Sequence, residues 1–112
     1  MTLQDLHKIL NDVLKDKAFY GTNVYDNEHN ASLPFIVYQE INKRVGVFVD
    51  DVPLYYRSNI QITLVTKKKD LKLEKKLEQA LLEGGLVFSL LNESKNEDKS
   101  VNRVYEIYME EI

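Results

Sequence analysis

Residues 50–85, DDVPLYYRSNIQITLVTKKKDLKLEKKLEQALLEGG, constrain the chain more than any other stretch. Tyr56, Ser58, Ile60, Ile62 and Leu64 alternate with Arg57, Asn59, Gln61, Thr63 and Val65, a period of two that predicts a long strand with one apolar face. After Lys67, Lys68 and Lys69, read as a solvated turn, the period changes to that of a helix. Leu71, Leu73, Leu77, Ala80 and Leu81 line one side, and Lys72, Lys75, Lys76, Glu78 and Gln79 stay wet. Asp70 is a suitable N-cap at the positive end of the helix dipole, and Gly84-Gly85 is a C-terminal stop. A one-faced strand followed at once by a one-faced helix is a packing unit, and nothing in it is catalytic.

The remaining segments extend this pattern. Thr2 can cap a first helix, with Asp5 in the place of the capping-box glutamate and Leu3, Leu6, Leu10, Val13 and Leu14 at helical spacing. His7 sits among Gln4, Asp5, Lys8 and Asn11 and reads as a solvated helix residue. Phe19-Tyr20-Gly21 marks a break, residues 22–25 a short strand, and residues 26–32 (DNEHNAS) a polar loop. After Pro34, Phe35-Ile36-Val37-Tyr38 opens a strand that runs to about Arg44, where Gly46 interrupts it. Val47-Phe48-Val49 is then a continuation past a kink or an exposed apolar tip, ahead of a loop formed by Asp50-Asp51-Val52-Pro53. Residues 86–91 and 101–112 read as the arms of a hairpin joined by a charged connection over residues 92–100. On the last arm Val101, Arg103, Tyr105, Ile107 and Met109 share one face, while Val104, Tyr108 and Ile112 leave the other half apolar.

Composition narrows the function. A chain of 112 residues is one domain, spanning residues 1–112, and can bury a working core. The net charge of −3 disfavours any role that needs a basic nucleic-acid footprint. With no cysteine, disulfide scaffolds, thiolate zinc sites and cysteine nucleophiles are excluded. The first residues do not form a signal peptide, and residues 86–91, the longest apolar run, are too few to cross a bilayer, so the chain reads as cytoplasmic. Asn30-Ala31-Ser32 and Asn92-Glu93-Ser94 match the glycosylation pattern by chance on that reading.

Nothing argues for catalysis. No serine stands in a nucleophile elbow, and the two histidines, His7 and His29, have no nucleophile motif near them. The four glycines make no phosphate-cradling loop. Asp26, Glu28 and His29 are metal-ligand types, but adjacent loop residues seldom point at one centre, so no metal or cofactor is expected. Asp50-Asp51 and Glu110-Glu111 are adjacent on extended chain and face opposite ways. The seven tyrosines suit either an interaction surface or half-buried strand positions.

In order and spacing, residues 33–38 (LPFIVY), 49–55 (VDDVPLY), 60–67 (IQITLVTK) and 70–81 resemble the small tail-terminator (tail-completion, head-to-tail joining) proteins of long-tailed bacteriophages and prophages. The resemblance covers nearly the whole chain. Two departures are Val49, where the family often has a small residue, and residues 92–100, which match no family pattern. It implies an α+β domain, a mostly antiparallel sheet of about four to five strands with two helices packed on one face. It also implies a structural virion protein at the head–tail junction, assembled in the bacterial cytoplasm. In that role a self-associating ring, a hexamer, caps the tail tube protein and joins a head-completion or neck protein. DNA passes through the ring without sequence-specific contact, and no membrane or cofactor is involved. Subunit contacts are expected in residues 45–52 and the final strand, at Val47, Phe48, Val49, Asp50, Asp51, Tyr55 and Tyr108. The rival readings are another neck, head-completion or tube adaptor, and a small monomeric protein-binding module.

Overall fold

The computed structural model describes residues 2–15, 17–21, 33–49 and 52–111, with residues 46–49, 52–55 and 111 described by their backbone alone. Their elements, in chain order, are α1 (Leu3–Val13), β1 (Ala18–Tyr20), β2 (Phe35–Val49), β3 (Val52–Thr66), α2 (Leu71–Glu83), β4 (Phe88–Lys95) and β5 (Val101–Glu111). The five strands form one sheet in the order β1-β2-β3-β5-β4. Only the β1–β2 pair is parallel, so the fold is α+β with a mostly antiparallel sheet, as expected, and both helices pack on one face of it.

The alternation in β3 decides which face that is. Ile60, Ile62 and Leu64 are buried beside Ile36 and Tyr38 of β2 and Tyr105, Ile107 and Met109 of β5. Leu6, Leu10 and Val13 of α1 and Leu77 and Leu81 of α2 close over them, which removes both apolar stripes from water. A second, smaller cluster lies on the opposite face, where Phe35 and Val65 are buried with Phe19, Leu33 and Val37 around them.

The helix ends follow local chemistry. Thr2 and Asp5 form a reciprocal capping box, the Asp5 amide donating to Thr2 Oγ1 at 3.2 Å and the Thr2 amide to Asp5 Oδ2 at 2.9 Å. The Thr2 amide bond holds the Asp5 carboxyl below its usual range. Asp70 accepts from the Leu73 amide at 3.1 Å and caps α2. At the other end the Leu86 amide donates to the Leu81 carbonyl at 2.9 Å, across Gly85 at φ +78°. Gly85→Ala is therefore expected to lower stability by about 1–2 kcal/mol. An added Cβ would meet nothing within 4 Å, so the cost is conformational and Gly85→Asn should recover part of it. Urea midpoints of the two variants check both halves.

Several sequence expectations are corrected. Leu71 is 70% exposed, because at 100° per residue it stands roughly 120° round the helix from Leu77. Glu74 takes the buried position instead, at 4% exposure. Val52 and Pro53 belong to β3, not to a loop. β4 begins at Phe88 and continues to Lys95, well into the stretch read as a flexible connection. The remaining turn is closed by side chains: Ser100 donates through its amide to Asp98 Oδ1 at 3.0 Å, and Asn96 Nδ2 donates to Asn102 Oδ1 at 3.0 Å. Phe19 and Tyr20, read with Gly21 as a break, belong to a strand, Ala18–Tyr20, on the sheet edge. The short strand expected over residues 22–25, the polar loop over residues 26–32 and its Asp26, Glu28 and His29 lie outside the described residues.

Candidate functional site

β2 and β3 are each 15 residues long, and their far halves leave the rest of the sheet. β1 pairs with β2 only from Ile36 to Tyr38, and β5 pairs with β3 only from Tyr56 onward. Beyond those rows the two strands form a bare ribbon that neither helix backs. It accounts for an elongated molecule of 53 × 29 × 24 Å. Register shifts fall between Glu40 and Asn42, between Val45 and Val47, and between Val47 and Phe48, so the ribbon is bulged on both sides of Gly46. The chain thus continues past a kink, the first of the two sequence readings. Ile41 and Val45, at 43% and 39% exposure, present apolar surface on its stem.

The expected contact residues fall as follows. Val47 pairs with Tyr55, Phe48 with Pro53 and Val49 with Val52, all on the ribbon. Asp50 and Asp51 lie outside the described residues. Tyr108 is on β5 and 46% exposed, opposite Asn59, so it stands at the foot of the ribbon and apart from its end. The fold therefore brings Val47, Phe48, Val49 and Tyr55 together and leaves Tyr108 as a separate surface residue.

That surface is the sheet face that carries no helix. Its rows run Phe35–Val65–Asn102, Val37–Thr63–Val104, Gln39–Gln61–Glu106, Asn42–Asn59–Tyr108 and Arg44–Arg57–Glu110. Between the small apolar cluster and the final charged row it is mostly uncharged, with a shallow groove of about 290 Å³ between Val37 and Val104. Asn59 Nδ2 donates to Glu106 Oε1 at 3.0 Å, which holds that carboxylate in the row.

On the helix-bearing side one cluster of ionisable groups pairs among itself. Arg103 lies within ion-pair distance of Glu74 (3.4 Å), Glu78 (3.4 Å) and Glu93 (3.1 Å), and its Nε donates to Tyr105 Oη at 2.6 Å. Lys69 bridges Glu74 at 2.9 Å and Glu93 at 2.6 Å. Burial pushes the Tyr105 phenol well above its usual range. Burial also works against the Arg103 charge, but the bonds to Tyr105 and Glu93 outweigh it and hold the guanidinium above its ordinary value. The Lys69 bond pulls Glu93 below the usual carboxylate range. Each of the three carboxylates has a cation, so this is a clamp between α2, β4 and β5, with no poised acid or base in it. Sequence reading left Glu78 and Lys69 in solvent, because the partners come from a strand far along the chain.

His7 is likewise not a free surface residue. It is half-buried, and its Nδ1 lies 2.8 Å from the Tyr38 hydroxyl, with Tyr20 packed edge-on against Tyr38. Burial raises the Tyr38 phenol, which makes it a poorer acid and leaves the pair a structural tie. Among the described residues no group of three or more His, Cys, Asp or Glu side chains is placed to hold a metal ion. No described helix is long and apolar enough to cross a membrane. Comparison of the chain with protein-family models and with curated proteins gives no match.

Proposed function

We propose that this chain is a structural component of a phage or prophage particle, a ring-forming protein that caps the completed tail tube and joins it to the neck. The observation that supports the reading is the bare β2–β3 ribbon, which extends from a closed two-layer body. A projecting ribbon and a broad open sheet face are two unlike surfaces. Head-to-tail contact between unlike surfaces closes into a ring when its rotation closes. Six copies are the expected number, with the tail tube protein and a neck protein as the other partners and DNA passing through. No substrate and no cofactor enter this reading.

Phe48→Asp tests it. Phe48 stands on the ribbon, beyond the last row that β5 pairs, so the variant is expected to keep the secondary structure and unfolding midpoint of the parent. Assembly is expected to be lost, read by sedimentation of the chain at rising concentration, alone and with tube protein. A parent that stays monomeric with tube protein present would replace the ring by a monomeric binding module. An unfolded variant would place Phe48 in the core.

A further inference from the structure

β4 is an outer strand of the sheet, and among the described residues it pairs with β5 alone. Edge strands are ordinarily blunted by charge or proline, because their unpaired backbone groups invite a further strand. The first half of β4, Phe88-Ser89-Leu90-Leu91, has neither. Leu90 is opposite Tyr105, and Leu91 falls in the register shift before Asn92, without a partner on β5. They are 45% and 48% exposed. α2 extends the patch. Glu78 accepts from the Tyr105 hydroxyl at 2.8 Å, and Leu82, one turn further along the same side of the helix, is exposed. So is Val87, in the turn between α2 and β4. Four exposed aliphatic side chains thus gather at one corner, where single scattered ones need no explanation. The corner is also acidic. Glu83 lies in the last turn of α2, at the negative end of the helix dipole, and that turn has no basic residue. The Glu83 carboxylate accepts from Gln79 Nε2 at 3.3 Å, and no ion pair between described residues involves it.

We propose that this α2–β4 corner receives the ribbon stem, at Ile41, Lys43 and Val45, of a second copy of this chain. The inference deepens the ring reading and rests on it, and it makes the sheet edge the surface that receives the ribbon. The stem matches the corner in two respects. Ile41 and Val45 are its exposed aliphatic residues, and Ile41, like Leu91, stands in a register shift with no partner on the facing strand. Lys43, 4.8 Å over the Tyr56 ring, and Arg44 enter no ion pair between described residues. Together they outnumber Glu40, so the stem is basic where the corner is acidic. The two patches of one copy cannot meet. β3 and β5 lie between β2 and β4, and three strand spacings amount to roughly 14 Å. A neighbour brings them together, and contact between unlike patches is head-to-tail, the kind that closes rings.

The experiment uses two uncharged double variants, L90S/L91S in the corner and I41S/V45S in the stem, with sedimentation equilibrium as the readout. Each alone is expected to associate at least about tenfold more weakly than the parent, since burying even one such side chain is worth about that factor. An equimolar mixture holds one intact corner and one intact stem per pair. It should therefore stop at a 1:1 dimer of twice the monomer mass and grow no further. E83K and K43E carry the test if a serine pair harms the fold. Each alone should associate roughly fivefold more weakly. Their mixture matches reversed corner with reversed stem, and in a ring of even number restores the parent mass. Variants that assemble like the parent, or a serine mixture that stays monomeric, overturn this contact and leave the ring reading standing. Assembly lost in L90S/L91S but kept in I41S/V45S would make the contact corner to corner and likewise overturn it. Loss of tube-protein binding by L90S/L91S, with self-association unchanged, would give the corner to that protein instead. A parent that never assembles, even with tube protein, overturns both readings.

Discussion

Arg103→Leu is expected to destabilise the protein by about 2–4 kcal/mol, the cost of breaking a largely buried ion pair by removing one partner. The Arg103 side chain is only 16% exposed and Glu74 6%, so screening by water offsets little of this. Removal leaves the Tyr105 hydroxyl with Glu78 alone, and leaves Glu78 without its cation. Lys69 still holds Glu74 and Glu93, which favours the lower half of the range. Arg103→Lys should recover only part of the loss, because one ammonium cannot reproduce a planar fork that meets three carboxylates and a phenol. The check is the urea midpoint at unchanged slope. A loss within about 0.5 kcal/mol, the range of ordinary surface changes, would show that the clamp contributes nothing.

The same clamp sets an acid limb. Glu93 is held below its ordinary range, by the Lys69 bond first and by the Arg103 bond as well. Its unfolded form binds a proton more readily than its folded form, so its contribution is complete above the ordinary glutamate value of about 4.3. It is lost as pH falls through the lower folded value. In Arg103→Leu one of the two cations is gone, so stability should fall less steeply between about pH 4.5 and the acid end than in the parent.

What was legible in the sequence is what adjacent residues decide. The alternation from Tyr56 to Val65 set the buried face of β3, since Ile60, Ile62 and Leu64 are the ones excluded from water. Thr2 with Asp5, Asp70, and Gly84-Gly85 marked helix ends because a cap is a contact between residues three or four apart. The lapses at β1 and β4 involve distant partners. β1 is three residues long and exists because Ala18, Phe19 and Tyr20 pair with Ile36, Val37 and Tyr38. Nothing within Ala18-Phe19-Tyr20 announces that. The second half of β4 is polar because it is an edge strand, and residues 92–95 pair with β5 with exposed side chains, Glu93 bonding Lys69 and Arg103. Period and propensity read such a segment as a loop.

The proposed contact surface divides in the same way. That residues 47–49 and 55 belong together follows from hairpin register once the strands are known, and apolar residues around a glycine mark the place in the sequence. That Ile41 and Leu91 stand outside the pairing was not legible. It depends on the bulges between Glu40 and Asn42 and between Leu90 and Asn92, each of which offsets the pairing by one residue.

Leu77→Ala and Leu71→Ala should separate by about 2–4 kcal/mol although periodicity puts both on the apolar side of α2. Leu77 is fully buried in the cluster with Leu10, Ile62 and Tyr105, so truncation removes apolar contact and opens a cavity beneath two helices, at about 2–5 kcal/mol. Leu71 is 70% exposed in the first turn, and its truncation should fall within about 0.5 kcal/mol. The difference arises at Glu74, between them on the helix surface. Its carboxylate reaches Lys69 and Arg103 on the buried side of the helix, while Leu71, roughly 120° round from Leu77, faces water. Equal losses for the two leucines, measured by urea unfolding, would contradict the placement of Leu77 in the core and Leu71 in water. A large loss at Leu77 with none at Leu71 supports that placement, and replacement of Leu71 by lysine should then also leave stability unchanged.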